Sequence, residues 1–304
     1  MKFYSLVLGS LLLLSSLGCE QSAEETAGSS KEEKVIVNEV EVDLNETEYS
    51  RHTEAKKITY ESDGLKVTGY MVKPEKLEGD LPLLIYNRGG NRGYGEIDEK
   101  KLSHYLSYWA HQGYVVLATQ YRGVDGSEGE EEFGGSDVND VIRLQKVAQE
   151  YDFIDTENTF MLGMSRGGMM TYLAIKKGMD LDAAAVIGGI TDLEDFYDAR
   201  EKLVQDMLLR LVGSPDENKE AYRARSAKHW VEQLDAPLLI LHGEADERVP
   251  VEQARLLADQ LDEQNADFDY VEYPDGSHAL FEHFEEVSSE IDQWFKAHMD
   301  DNSD

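Results

Sequence analysis

In this chain of 304 residues one serine has the surroundings that nucleophilic chemistry needs: Ser165, in Gly163-Met164-Ser165-Arg166-Gly167. A serine hydroxyl attacks a carbonyl only when a neighbouring base takes its proton and an acid orients that base. It must also stand on a turn sharp enough to lift it above a sheet, and glycines on both sides leave room for that turn. The apolar residues Phe160-Met161-Leu162 precede the motif. Met169, Met170, Tyr172 and Leu173 follow at helical spacing, so strand, turn and helix are expected there. For such a turn the partners come later in the chain, acid first and histidine second. Leu238-Leu239-Ile240-Leu241 runs into His242-Gly243-Glu244-Ala245-Asp246-Glu247, which places Asp246 just past a strand end, with Glu244 and Glu247 as competitors. Pro274-Asp275-Gly276-Ser277-His278 puts His278 in a loop before the last helical pattern. His283 falls within that pattern and reads as a surface residue. His242 ends a strand and reads as structural. The chemistry implied is acyl transfer: Ser165 as nucleophile, His278 as base, Asp246 as orienting acid.

A developing oxyanion needs two donors. The backbone N–H of Arg166 is one. The loop Arg88-Gly89-Gly90 offers the other, with Arg88 and Gly89 as contributors. Arg88 or Arg92 can instead clamp a substrate carboxylate or pair with surface acids. The glycine-rich residues 87–94 lack the phosphate-loop pattern. No His, Cys and carboxylate set has zinc spacing, so no metal or cofactor is expected. Gly188-Gly189 reads only as the end of a strand.

These side chains need a scaffold. Ser62-Asp63-Gly64 lies between two alternating runs, 57–60 and 65–72, and predicts a hairpin. From residue 81 onward, short apolar runs (81–86, 114–118, 159–162, 183–187, 238–241) alternate with helical patterns at 102–110, 138–147, 251–261 and 280–299. The alternation predicts a mostly parallel sheet with helices on both faces. Residues 191–232 carry helical patterns without a strand and read as a small helical insertion leaning over the strand ends.

Composition bounds the partners. The chain has 62 acidic and 29 basic residues, a formal net charge of −33. That argues against nucleic acid and anionic membrane surfaces as partners, leaving the membrane only through a lipid anchor at Cys19, and fits a heavily hydrated surface. The single cysteine, Cys19, rules out an internal disulfide. It follows Met1-Lys2, an apolar stretch at 3–17 and Leu17-Gly18, which resembles a bacterial lipoprotein signal. Residues 1–19 are therefore expected to be a signal, with Cys19 lipidated and the protein exported to the cell envelope, or secreted if Cys19 is incidental. Residues 20–55 are expected to be a flexible tether or extended arm, and 56–299 the catalytic domain.

Taken together, Gly163–Gly168, His242–Pro250, Gly276-Ser277-His278, Tyr121-Arg122-Gly123 and the stretch 224–230 resemble the alpha/beta-hydrolase fold, and more narrowly the catalytic domain of the prolyl oligopeptidase family. The resemblance implies the same roles for Ser165, Asp246 and His278, and a peptidase activity. Many members carry a β-propeller ahead of this domain; residues 20–55 are too few for one. Members often offer a tyrosine hydroxyl to the oxyanion, where this chain has Arg88, with Tyr86 two residues earlier. Peptide and ester substrates both stay open, with carboxylesterase- or dienelactone-hydrolase-like activity as the alternative. A non-catalytic ligand-binding module is the reading from another class.

Overall fold

The computed structural model of the chain describes residues 34–300. The signal and lipidation readings at residues 1–19, Cys19 included, lie outside the described residues. Among the described residues nine strands form one sheet in the order β1-β2-β3-β5-β4-β6-β7-β8-β9. They are β1 Ile36–Val42, β2 Thr53–Ser62, β3 Leu65–Pro74, β4 Leu81–Asn87, β5 Val115–Thr119, β6 Ile154–Met164, β7 Ala183–Ile187, β8 Leu238–Gly243 and β9 Phe268–Tyr273. β2 and β3 pair antiparallel through the Asp63-Gly64 turn, and β4 to β9 run parallel.

The central strands carry near-continuous apolar runs because both of their faces are covered. Leu83 and Ile85 join the cluster under one helical layer, while Leu84 and Tyr86 join the other. The first layer holds α2 Val138–Ile142, α3 Leu144–Ala148, α4 Arg166–Lys176 and α8 Val251–Glu263. The second holds α1 Ser107–His111, entered through a wide π turn at Lys101–Leu106, and α9 Phe284–Ala297. Burying each of these large apolar side chains contributes about 2 kcal/mol. The helical pattern at 138–147 is split at Arg143 into two short helices. His283 ends a 3₁₀ turn just ahead of α9 and stays partly exposed.

The start of the domain differs from expectation. Residues 36–42 are extended, as the arm reading had it, but they are a strand of the sheet, so the domain begins near Lys34 and not at residue 56. β1 is an edge strand with both faces largely exposed. It is held by its ladder to β2 and by Glu150, which accepts the Val35 and Ile36 N–H groups. Backbone pairing of this kind leaves no apolar alternation in the sequence.

Residues between β7 and β8 form α5 Leu193–Ala199, α6 Lys202–Leu211 and α7 Lys219–Ala224. Asp192 caps α5 by accepting from the Glu194 and Asp195 N–H groups. Phe196, Val204 and Met207 of this insertion share a cavity with Ser165.

Candidate active site

β6 ends at Met164 and α4 begins at Arg166, so Ser165 is the whole turn, with φ 59° and ψ −122°. A non-glycine residue in such a conformation costs of order 1–3 kcal/mol and persists only where its surroundings hold it. The glycines make it possible. A Cβ on Gly163 would lie 2.4 Å from the Gly167 carbonyl oxygen, and one on Gly167 would lie 1.9 Å from that of Asn87.

Asp246 sits in the loop after β8 with its side chain buried. Its Oδ1 accepts the N–H groups of Arg248 at 2.7 Å and Val249 at 3.0 Å. Its Oδ2 lies 2.7 Å from His278 Nδ1 and 3.2 Å from His242 Nε2. Burial alone would raise the Asp246 carboxyl. The hydrogen bonds from His242 and His278, the His278 charge and the Val249 N–H outweigh it and hold the group well below the usual carboxylate range. Glu244 and Glu247 are exposed. Because Nδ1 of His278 donates to Asp246, its Nε2 is left as the basic nitrogen.

Ser165 and His278 line one cavity of about 330 Å³, together with Gly89, Gly90 and Tyr86. Among the described residues no hydrogen bond joins Ser165 Oγ to the His278 ring; such bonds are commonly long before substrate binds.

Of the oxyanion residues, Arg166 occupies the first helical position of α4, where a backbone N–H has no intrahelical acceptor. Gly89 lies against the nucleophile: a Cβ there would stand 3.1 Å from Ser165 Cβ. Arg88 is a correction. Its side chain is fully buried and donates to the carbonyls of Gln120 (3.3 and 2.9 Å), Gly89 (3.1 Å) and Arg92 (3.1 Å). It braces the loop from behind and reaches neither an oxyanion nor a substrate carboxylate. Stacking on the Tyr121 ring, 5.0 Å away, gives the guanidinium its buried seat.

Three functional features escaped the sequence reading. The Arg166 side chain is buried between the Tyr121 and Phe133 rings, at 4.5 and 4.8 Å, and pairs with Glu131 and with Asp137 at 2.6 Å. This ties the acidic loop 123–135 to the nucleophile turn. Gly188 has φ +55°, and a Cβ there would lie 2.7 Å from the His278 carbonyl oxygen and 3.1 Å from its Nδ1. His242 is more than structural. Its Nε2 faces both Asp246 and, at 2.9 Å, the Val249 carbonyl. Two acceptors require the proton on Nε2: it donates to the Val249 carbonyl and stands 3.2 Å from the Asp246 carboxylate.

Against this geometry stand the likenesses to known proteins. The model of the prolyl oligopeptidase family matches residues 100–302, and that of acetyl xylan esterase (AXE1) matches residues 29–139. An uncharacterized peptidase of Bacillus subtilis, YtmA, is 32% identical over 213 residues, covering 70% of this chain and 81% of the relative. Dipeptidyl-peptidase 5 of Aspergillus oryzae is 29% identical over 72% of this chain but only 32% of its own length. The fold matches that of the acylaminoacyl peptidase of Pyrococcus horikoshii with a TM-score of 0.71 at 20% identity, over 83% of this chain and 43% of that one. The chain thus spans under half the length of the latter two.

Proposed function

This chain belongs to the prolyl oligopeptidase family of serine peptidases, and on that premise we propose that it hydrolyses short peptides or related acyl compounds through an acyl-enzyme on Ser165. His278 takes the Ser165 proton as the hydroxyl oxygen attacks the scissile carbonyl. The oxyanion is received by the backbone N–H groups of Arg166 and Gly89. His278 then returns its proton to the departing amine or alkoxide, and water, activated by the same imidazole, releases the acid. Asp246 keeps its charge throughout and stabilises the transient imidazolium. The single observation that supports this most is the 2.7 Å His278–Asp246 pair on the same cavity as a serine held at φ 59°.

The test is covalent labelling. A fluorophosphonate should label the wild-type chain on Ser165 and leave Ser165→Ala unlabelled, while circular dichroism finds both folded. Absence of labelling in the wild type, or labelling that survives the substitution, rejects the mechanism. The relatives are peptidases by name, so a panel of peptide anilides is the first substrate set. The sequence also supports export with a lipid on Cys19, following Met1-Lys2 and the apolar stretch 3–17. Expressed in a bacterium, the chain should enter the detergent phase on phase separation, and Cys19→Ala should move it to the aqueous phase.

A further inference from the structure

We propose that the substrates of this site carry a carboxylate close to the scissile carbonyl, and that Arg200 and Arg248 read it. This deepens the serine-hydrolase reading and rests on it. In a chain with 62 acidic and 29 basic residues, most surface is acidic. The cavity at Ser165 is the reverse. Its charged lining is Lys101, Arg166, Arg200 and Arg248, and among the described residues no carboxylate side chain faces it. An adjoining groove of about 660 Å³ shares Arg200 and Arg248 and adds Arg92 and Arg210, against Glu201 and Glu247.

Arg166 is already neutralised by Glu131 and Asp137. Among the described residues Lys101 and Arg248 pair with no carboxylate, and Arg200 pairs only with Glu201. Lys101 Nζ donates to the carbonyls of Gly95 at 3.0 Å and Glu96 at 2.6 Å. Arg248 Nη1 donates to the Tyr94 hydroxyl at 3.0 Å. Arg200 is largely buried. Its Nη1 reaches the carbonyls of Glu247 and Arg248 at 3.3 and 3.2 Å, and its one carboxylate is that of the adjacent, exposed Glu201 at 3.2 Å. Arg200 Nε is buried without a partner among the described residues. The walls between these cations are apolar, formed by Phe133, Ile190, Phe196 and Met207, so the charges are poorly screened where a substrate would sit. A substrate with a free ammonium near the scissile bond meets only cations here. One with a carboxylate meets a wall that carries Arg200 and the exposed Arg248.

Two matched pairs of substrates test this: p-nitrophenyl hydrogen glutarate against its methyl ester, and peptide anilides differing by glutamate or glutamine beside the scissile bond. At low ionic strength the anionic member of at least one pair should have the higher kcat/KM, by about tenfold or more, and about 0.5 M salt should shrink the preference. Arg248→Gln, at an exposed position, should cut the anionic-to-neutral ratio about tenfold, and Arg200→Gln should cut it further. Ratios near one in both pairs, or a preference that survives both substitutions, overturn the proposal. Calorimetry with glutarate and glutaramide on the Ser165→Ala chain asks the charge question without turnover; equal binding of the two also overturns it. Loss of the hydrolase reading would look different: no fluorophosphonate labelling of the wild type, whatever glutarate does.

Discussion

The two ends of the sheet hold two cavities of opposite character, and the larger one has no chemistry assigned to it. At the amino ends of β4, β6 and β7 lies a groove of about 1040 Å³, lined by Asp63, Glu157, Asp180, Asp182 and Asp300 with Arg143 and Lys146. At the carboxyl ends lies the smaller cavity, about 330 Å³, with Ser165 and His278. The acidic groove follows the chain's composition and looks like hydrated surface. The other end departs from composition: cations gather there, and Arg166 is buried in pairs with Glu131 and Asp137 beside a nucleophile turn held at φ 59°. Parallel strands point toward the N-termini of the helices that follow them, so this end is where negative charge is stabilised. Volume therefore says less about the site than the cost of the local structure does.

Breaking the acid at the carboxyl end should have the largest effect. Asp246→Asn keeps the shape but turns an amide toward His278 and favours the wrong tautomer, so kcat should fall on the order of 10³- to 10⁴-fold. The same substitution has a pH signature. The folded-state pKa of Asp246 is depressed, so its contribution to stability is present above the unfolded carboxylate value of about 4 and is lost as pH falls through the lower folded value. Denaturant melts should give a constant gap between wild type and Asp246→Asn above about pH 5 and a closing gap below about pH 4. A gap that widens in acid would mean that Asp246 is not held ionised.

A finer contrast sets one glycine against another. Gly188 and Gly178 both have positive φ, +55° and +79°. A Cβ on Gly178 meets nothing within 4 Å, whereas one on Gly188 meets His278 and, at 3.3 Å, Asp246 Oδ2. Gly178→Ala should cost only backbone strain, about 1 kcal/mol, and leave kcat as it is. Gly188→Ala pays the same strain and also displaces the base, so kcat should drop about a hundredfold. Equal kcat in the two variants would show that His278 is not held by this contact.

The legible parts of the molecule are those whose signal is local. Ser165 and Asp246 stood out because each follows an apolar run, His278 because it comes behind them in the order such a turn requires, and the central strands because burial on both faces makes their middles apolar. β1 was not, since an edge strand held by backbone bonds writes nothing into its side chains. Arg88 was misplaced because a guanidinium reads as surface until a ring such as Tyr121 gives it an interior seat. The Arg166 pairing with Glu131 and Asp137 crosses from a helix to an aperiodic loop, and no spacing announces it. Gly188 looked like an ordinary strand end because its reason is a histidine far along the chain.

The smallest effect is expected at the amino end, and it bears on the comparison most directly. Asp180 is exposed and touches the rest of the chain through its carbonyl, which accepts from Gln145 at 2.9 Å. Glu157 is exposed as well. Asp63 and Asp182 are poor choices, because the first pairs with Arg122 and the second accepts the Thr159 N–H at 2.7 Å, so their loss would disturb the fold. Asp180→Asn with Glu157→Gln removes two charges from the larger groove at little structural cost, within about 0.5 kcal/mol per site. The groove lies across the sheet from Ser165, beyond the reach of a screened surface charge. The double variant should therefore keep kcat/KM within about twofold for both anionic and neutral substrates. A tenfold change would mean that the amino end takes part in turnover, and the division of the sheet into a working end and a hydrated end would fail.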